Sequence, residues 1–353
     1  MRILVDTSIM RRPATGIARW VEGLVSSLST GGEEVIAAPG PTRLGRGTRL
    51  YRIPNTLRQR WWYDVALPRL ATRCRSDVLL SPSNYAARRS WVPQVVTLHD
   101  VNFLAAPETY ERAMEAYLAR VFRHAIANAD VITTVSKHSR HELAARFDVD
   151  PMRISVVYPG LDPPPPGARP PSPHGTRPYA LYVGATERHK NVGALLHAWA
   201  PESPGGLDLV IVGQPGRAHV SVTEQAATML PRVIVRGSVD QPELERWYAN
   251  ASVFVFPSMA EGFGYPPLEA MLRGVPVVAS RAGSLPEVLG DAAVYHEPSD
   301  AREIGRLVSS VATDTALRQG LIERGRSRAA LYTWDRAVSG MRTVLRSAID
   351  IRA

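Results

Sequence analysis

FVFPSMAEGFGYPPLEAMLRGVPVVAS, from Phe254 to Ser280, reads as a buried strand, a glycine loop, a helix and a second buried strand. The runs FVF and VPVVAS are short and continuously apolar, the pattern of strands covered on both faces of a parallel sheet. Pro266 and Pro267 suit a first helical turn, where no amide donor is required, so the helix starts near them and ends at Gly274. The loop therefore lies at a strand's carboxyl end and faces the positive end of a helix. Gly262 and Gly264 permit close backbone approach, and amides at a helix N-terminus bind phosphate, so a diphosphate is the natural guest. Glu261 and Glu269 flank this loop, and carboxylates accept hydrogen bonds from paired hydroxyls. A ligand with a sugar, a diphosphate and a ribose satisfies both features. Taken alone, the two glutamates also fit structural roles, Glu269 complementing the helix dipole and Glu261 lying on a surface loop.

The same alternation extends in both directions. From Tyr179 onward YALYVGA, LDLVIVG, VIVRGSV, SVFVFPS, VPVVAS and AAVYHEP alternate with helical patterns, and helices alone follow. Before it, RILVD, EVIAA, DVLLSPS, QVVTLHD, DVITTVS and ISVVYPG alternate with helical segments such as ERAMEAYLARVFRHAIANA. Both halves predict mostly parallel, doubly wound sheets, whose ligands bind beyond the carboxyl ends of the strands. Between them lies PPPPGARPPSPHGTRP, too rich in proline to continue sheet or helix. The expected organisation is a first α/β domain over 1–165, a proline-rich linker over 166–178, a second α/β domain over 179–333 and a terminal helix over 334–353.

Length and composition agree with two domains. The chain has 353 residues, 45% hydrophobic and 21% charged, enough apolar mass for sizeable cores and too little charge for disorder. Its single cysteine, Cys74, excludes an intrachain disulfide framework and a cysteine-rich zinc site. Asp6 interrupts the first apolar run, so MRILVDTSIM reads as a strand rather than a signal peptide, and no run approaches the ~20 apolar residues of a membrane span. These features predict a cytoplasmic protein. The net charge of +9 is concentrated: from Pro41 to Ser90 there are eleven arginines and no lysine against Asp64 and Asp77. With Trp61, Trp62 and Tyr63 alongside, the arginine-rich stretch 43–89 could meet an anionic membrane surface, a phosphate-bearing acceptor or nucleic acid, or could be a solvated face.

The segment Glu261–Glu269 resembles the E-x7-E region of family 4 retaining glycosyltransferases of the GT-B fold, in which two Rossmann-like domains face each other across a cleft. The resemblance extends to YVGATERHKNVGALLHAW and VPVVASRAGSLPEVLGDAAVYHEP in the second half. In the first half it includes TGIARWVEGL, VVTLHDVNFL and VITTVSKHSRHEL, so it covers nearly the whole chain. It implies that Glu269 holds the donor ribose, Glu261 lies beside the transferred sugar, and Lys190 pairs with the diphosphate. Gly262, Phe263, Gly264 and Tyr265 would line the donor, Gly16 would bring a backbone amide to the diphosphate, and His99 would contact the sugar or its reaction centre. One departure matters. Related sequences often place a basic residue directly before the lysine, whereas here the run is Glu187, Arg188, His189, Lys190, Asn191, so Arg188 or His189 would supply the second phosphate contact. Ala18 stands where relatives have a second glycine.

The resemblance implies retention by a front-face reaction in which the leaving diphosphate takes the acceptor's proton and fixed cations stabilise the departing charge. It implies no metal and no cofactor beyond the nucleotide-sugar co-substrate, a hydroxyl acceptor that is a glycan, a lipid-linked or a small molecule, and no nucleic acid. The terminal helix, Trp334 to Ile349, would cross back to the first domain as part of a hinge. Two rival readings are a nucleotide-sugar epimerase on the same fold and a basic nucleic-acid-binding protein. A nicotinamide dehydrogenase is excluded because the nearest glycine string, Gly262 to Pro267, ends in proline and sits late in the chain.

Overall fold

The computed structural model describes residues 1–11, 15–41, 52–105, 107–167, 170–200 and 202–352. These fall into two compact units, Met1–Gly160 with Thr333–Ala353, and Leu161–Tyr332. Of the arginine-rich stretch, Arg43, Arg46 and Arg49 lie outside the described residues, as do positions 168 and 169 of the proline-rich segment.

The first unit is a six-stranded parallel sheet of β1 (Arg2–Asp6), β2 (Glu34–Ala38), β3 (Val78–Ser81), β4 (Gln94–Thr97), β5 (Val131–Thr134) and β6 (Ile154–Val156). Their order is β2-β1-β3-β4-β5-β6. Successive side chains enter different cores. Ile3, Val5, Val78 and Leu80 pack with the helices Gly16–Thr30 and Trp334–Arg352. Leu4 and Leu79 pack with Trp62, Tyr63, Leu67 and Ala71. Both faces are covered, which is why these strands read as unbroken apolar runs.

The terminal helix is fixed by Trp334. Its indole stacks on Trp20 with ring centroids 5.9 Å apart. It occupies space that two glycines leave open: a Cβ on Gly23 would lie 1.9 Å from the ring, and one on Gly160 2.5 Å from it.

The sequence assigned no element to the arginine-rich stretch ahead of Asp77. It forms a helix Arg52–Trp61, a π-helical turn Trp62–Ala66 and a helix Leu67–Arg73. The wide turn sets Trp62 and Tyr63 side by side over the carboxyl end of β1. There the wholly buried Asp6 accepts from Tyr63 Oη at 2.7 Å, Trp62 Nε1 at 3.3 Å, and Ser8 N and Oγ at 3.1 and 3.2 Å. Burial raises the Asp6 pKa, and these four donors oppose that shift.

The second unit repeats the architecture with β7 (Tyr179–Val183), β8 (Asp208–Val212), β9 (Val233–Gly237), β10 (Val253–Phe256), β11 (Val277–Ser280) and β12 (Ala293–His296). All pair in parallel, in the order β12-β11-β10-β7-β8-β9. The proline-rich segment carries no helix or strand among its described residues, yet it is tied into this unit. His174 Nε2 and Arg177 Nη2 each lie 2.8 Å from the buried Asp208 carboxylate, and Asn250 Nδ2 donates to the Pro170 carbonyl at 3.0 Å.

In each sheet the strand order reverses at one place, between β1 and β3 and between β7 and β10. Loops leaving the carboxyl ends of two such strands diverge and open a crevice between them. In the second unit those are the loop from Gly184 to Asn191 and the loop from Pro257 to Gly264.

Candidate functional site

The two loops at the β7/β10 reversal bring Lys190 and Glu261 together. Lys190 Nζ lies 2.6 Å from Glu261 Oε1, with side chains only 20% and 9% exposed. The ammonium also sits 5.7 Å from the centroid of the Phe256 ring. Backbone bonds hold the pairing in register. Met259 N donates to the His189 carbonyl at 2.8 Å. Asn191, at φ 55°, places its side-chain amide on the carbonyls of Pro257 and Pro298 at 3.2 and 2.8 Å.

Glu261 is further shaped from behind. Ser284 N donates to its carbonyl at 3.0 Å, and Gly283, at φ +58°, approaches so closely that a Cβ there would lie 2.6 Å from the Glu261 backbone. Glu261, Gly262, Phe263 and Gly264 are all buried. Gly264 caps the helix Tyr265–Leu272 in the left-handed region, at φ 91°. Pro266 and Pro267 carry no amide, so the positive end of this helix is expressed through the loop amides ahead of them. Phe263 turns its ring inward against Tyr265 and Tyr332, at 5.2 and 5.4 Å, so it can serve a ligand through its backbone only.

Glu269 is the fifth residue of that helix and is 6% exposed. Its Oε2 accepts from Tyr248 Oη at 2.7 Å. A buried carboxylate with a dedicated donor is more than a complement to the helix dipole. Arg188 is exposed on the turn Arg188–Lys190. His189 is held below the usual imidazole range, first by burial and then by the charge of Lys190. Near neutral pH the permanent second cation of this turn is therefore Arg188.

In the first unit, His99 follows β4 beside the β1/β3 reversal. It is 6% exposed, its Nε2 lies 2.8 Å from the Pro82 carbonyl, and its backbone N donates to Asn84 Oδ1 at 2.9 Å. Burial lowers its pKa to about 4, so the ring is neutral at ordinary pH. With the proton on Nε2, facing the carbonyl, Nδ1 carries the lone pair and can accept from a hydroxyl. Gly16 is the exposed first residue of its helix, behind Thr15, whose side chain accepts from Ala18 N at 3.2 Å. Ala18 thus supplies a capped amide where a second glycine was expected.

Profiles of known families match both halves of the chain: Glycosyltransferase Family 4 over residues 14–164 and Glycosyl transferases group 1 over residues 168–328. The O-antigen chain mannosyltransferase B of Escherichia coli is 30% identical over 301 residues, covering 81% of this chain and 76% of its own. The chain belongs to glycosyltransferase family 4. Its GT-B fold is shared with a sucrose-phosphate synthase from Thermosynechococcus elongatus, at TM-score 0.80 and 18% identity over 99% of this chain and 100% of the other. Anabaena HepE, solved in complex with UDP-glucose, superposes at TM-score 0.73 and 16% identity over 98% of this chain and 100% of the other.

In the second unit of the glycosyltransferase, Lys190, Glu261, Gly262, Gly264 and the start of the Tyr265 helix thus lie on or beside the two loops at the β7/β10 reversal. Sequence reasoning missed Tyr248, because its partner Glu269 lies 21 residues on and only the pairing of two helices brings them together. Near the turn Arg188–Lys190 lies Arg217, which the sequence reading did not single out. That residue lies 3.9 Å from Glu187 on the loop after β8, where Gly216 N donates to Thr186 Oγ1 at 2.8 Å. The glycines of GQPGR were the available signal. Among the described residues, no group of three or more His, Cys, Asp or Glu side chains is arranged to hold a metal ion.

Proposed function

We propose that this glycosyltransferase moves a sugar from a nucleoside-diphosphate sugar to a hydroxyl acceptor with retention of configuration, without a metal. The observation that carries the reading is the Lys190–Glu261 pair at the crevice of the second unit, one loop away from a glycine-capped helix N-terminus. An incoming diphosphate has the charge to share Lys190 with Glu261. The loop amides meet the same phosphates, and Arg188 adds a second, solvent-facing cation. Glu269 binds the ribose hydroxyls, and Glu261 accepts from the transferred sugar. As the glycosidic bond breaks, negative charge grows on the leaving phosphate, and Lys190 stabilises it more in the transition state than in the bound donor. In the first unit, the neutral His99 can accept from a hydroxyl through Nδ1. The leaving diphosphate is the base for the acceptor proton, so no side chain has to serve as one.

That HepE was solved with UDP-glucose supports a nucleotide-sugar donor, and the mannosyltransferase relative supports a glycan acceptor. The test is product analysis with nucleotide-sugar donors in the presence of EDTA. Nucleoside diphosphate is released and the new linkage keeps the anomeric configuration of the donor by NMR; an inverted product, or transfer that needs added metal, contradicts the reading.

A second reading concerns where the enzyme works. Leu57 and Trp61, one helical turn apart, are 61% and 56% exposed beside the exposed Arg58 and Arg60, and Trp91 is 67% exposed beside the exposed Arg88 and Arg89. Among the described residues no helix is long and apolar enough to cross a membrane. Apolar tips ringed by arginine suit peripheral docking on an anionic lipid surface, here the cytoplasmic face of a membrane. Vesicles containing anionic lipid should sediment the protein at low salt and release it at high salt, and Trp61→Ser with Trp91→Ser should weaken this. Binding to unrelated DNA in place of vesicles contradicts it.

A further inference from the structure

Tyr248 belongs to no motif and lies on a helix, Gln241–Asn250, that none of the sequence readings assigned to the site. We infer that Tyr248 is a positioning residue of the donor site, holding the Glu269 carboxylate in the one orientation that recognises the paired hydroxyls of a ribose. The inference rests on the assignment of Glu269 to the ribose.

The helix starts at Asp240, whose side chain accepts from Glu243 N, and its last turn buries Trp247 and Tyr248 against the sheet. Tyr248 is 1% exposed. Its ring stacks on Phe254 of β10, with centroids 5.8 Å apart, and the guanidinium carbon of Arg273 lies 5.1 Å from its centroid. Arg273 is itself fixed. Its Nε donates to Glu245 Oε2 at 2.7 Å, its Nη2 to Glu245 Oε1, and its Nη1 to the Glu269 carbonyl at 2.9 Å. Glu245 and Tyr248, three residues apart on one helix, thus hold Arg273, the C-cap of the helix Tyr265–Leu272, and Glu269 within it.

The ring is buried, and its hydroxyl donates to Glu269 Oε2 at 2.7 Å. A cation beside the ring draws electron density from the phenol and makes its O–H a better donor to a carboxylate. The consequence for the ligand is geometric. Two vicinal hydroxyls meet a carboxylate well only when its plane is set, and an unanchored glutamate must be ordered anew at each binding event. Phenylalanine would fill the same volume and keep both ring neighbours, so packing alone does not require the hydroxyl.

The test measures, on each protein, the affinity ratio between a nucleoside diphosphate and its 2′,3′-dideoxy counterpart. The probe is whichever of UDP, GDP and ADP binds the wild type most tightly. Both ligands are titrated on one preparation, so partial loss of folded protein cancels from the ratio. Glu269→Ala should abolish the preference for the ribonucleotide. Tyr248→Phe should reduce it about tenfold, the scale of one hydrogen bond to a charged group, and Tyr248→Phe combined with Glu269→Ala should match Glu269→Ala alone. If Glu269→Ala removes the preference while Tyr248→Phe stays within about twofold of wild type, Tyr248 is only a packing residue and the inference fails while the ribose assignment stands. If Glu269→Ala keeps the preference, or none of the three nucleotides binds, the ribose assignment fails and the inference falls with it.

Discussion

Lys190, Glu269 and His99 carry the account at the level of single side chains, and each makes a different prediction. Lys190→Ala should lower kcat by about a hundredfold and change donor KM much less, because the charge on the leaving phosphate grows in the transition state. Glu269→Ala should do the reverse, raising donor KM with a smaller effect on kcat; equal losses in both parameters for both variants would contradict these roles. His99 makes a pH prediction. Its folded pKa of about 4 lies below the unfolded value of about 6.5. Between those values the unfolded chain binds a proton that the folded chain excludes, so stability falls as pH drops from about 6.5 to about 4, by up to about 3 kcal/mol. Replacing His99 with Gln should flatten the dependence of Tm on pH across that window, and an unchanged slope would show that another group controls it. Lys190 and the two glutamates could be singled out in the sequence because they sit in one contiguous stretch or in a recognisable turn. Tyr248 and Asp6 could not, since a buried tyrosine or aspartate acquires its meaning only from a partner many residues away.

At the level of elements, the strands were legible because both faces are covered and the apolar runs are unbroken, as in Val277–Ser280. The helix after the glycine loop was legible from its prolines. The segment from Arg52 to Arg73 was not. It mixes arginine and aromatic residues, and its π-helical turn delivers two consecutive aromatic side chains to one buried carboxylate. Asp6→Ala should therefore loosen this segment, leaving the Tyr63 hydroxyl and Trp62 indole without their acceptor, with a loss of about 2–4 kcal/mol and faster proteolysis within 52–73. The terminal helix makes a sharper steric prediction. Gly23→Ala would put a methyl where the Trp334 indole lies, and should lower stability by about 1–3 kcal/mol as the ring is displaced from Trp20. Recovery of the lost Tm in Gly23→Ala with Trp334→Leu would confirm the cause, whereas an unaffected Gly23→Ala protein would refute the wedge.

For the whole molecule, the βαβ rhythm on either side of the proline-rich segment foretold two parallel sheets, and the structure adds where each strand order reverses. That reversal is not written in any one motif. It follows from which strands pair, and it is what turns a lysine after β7 and a glutamate after β10 into neighbours. The central claim is that the crevice at β7 and β10 binds the nucleoside diphosphate of a sugar donor. The most direct measurement is thermal unfolding with UDP, GDP, ADP, CDP and dTDP and their common sugar conjugates, in EDTA, on the wild type and on Glu269→Ala. One base should raise Tm by roughly 5 °C or more at a hundredfold excess over its Kd, and the rise should vanish in Glu269→Ala. No shift with any base, or an equal shift in the variant, would contradict the claim.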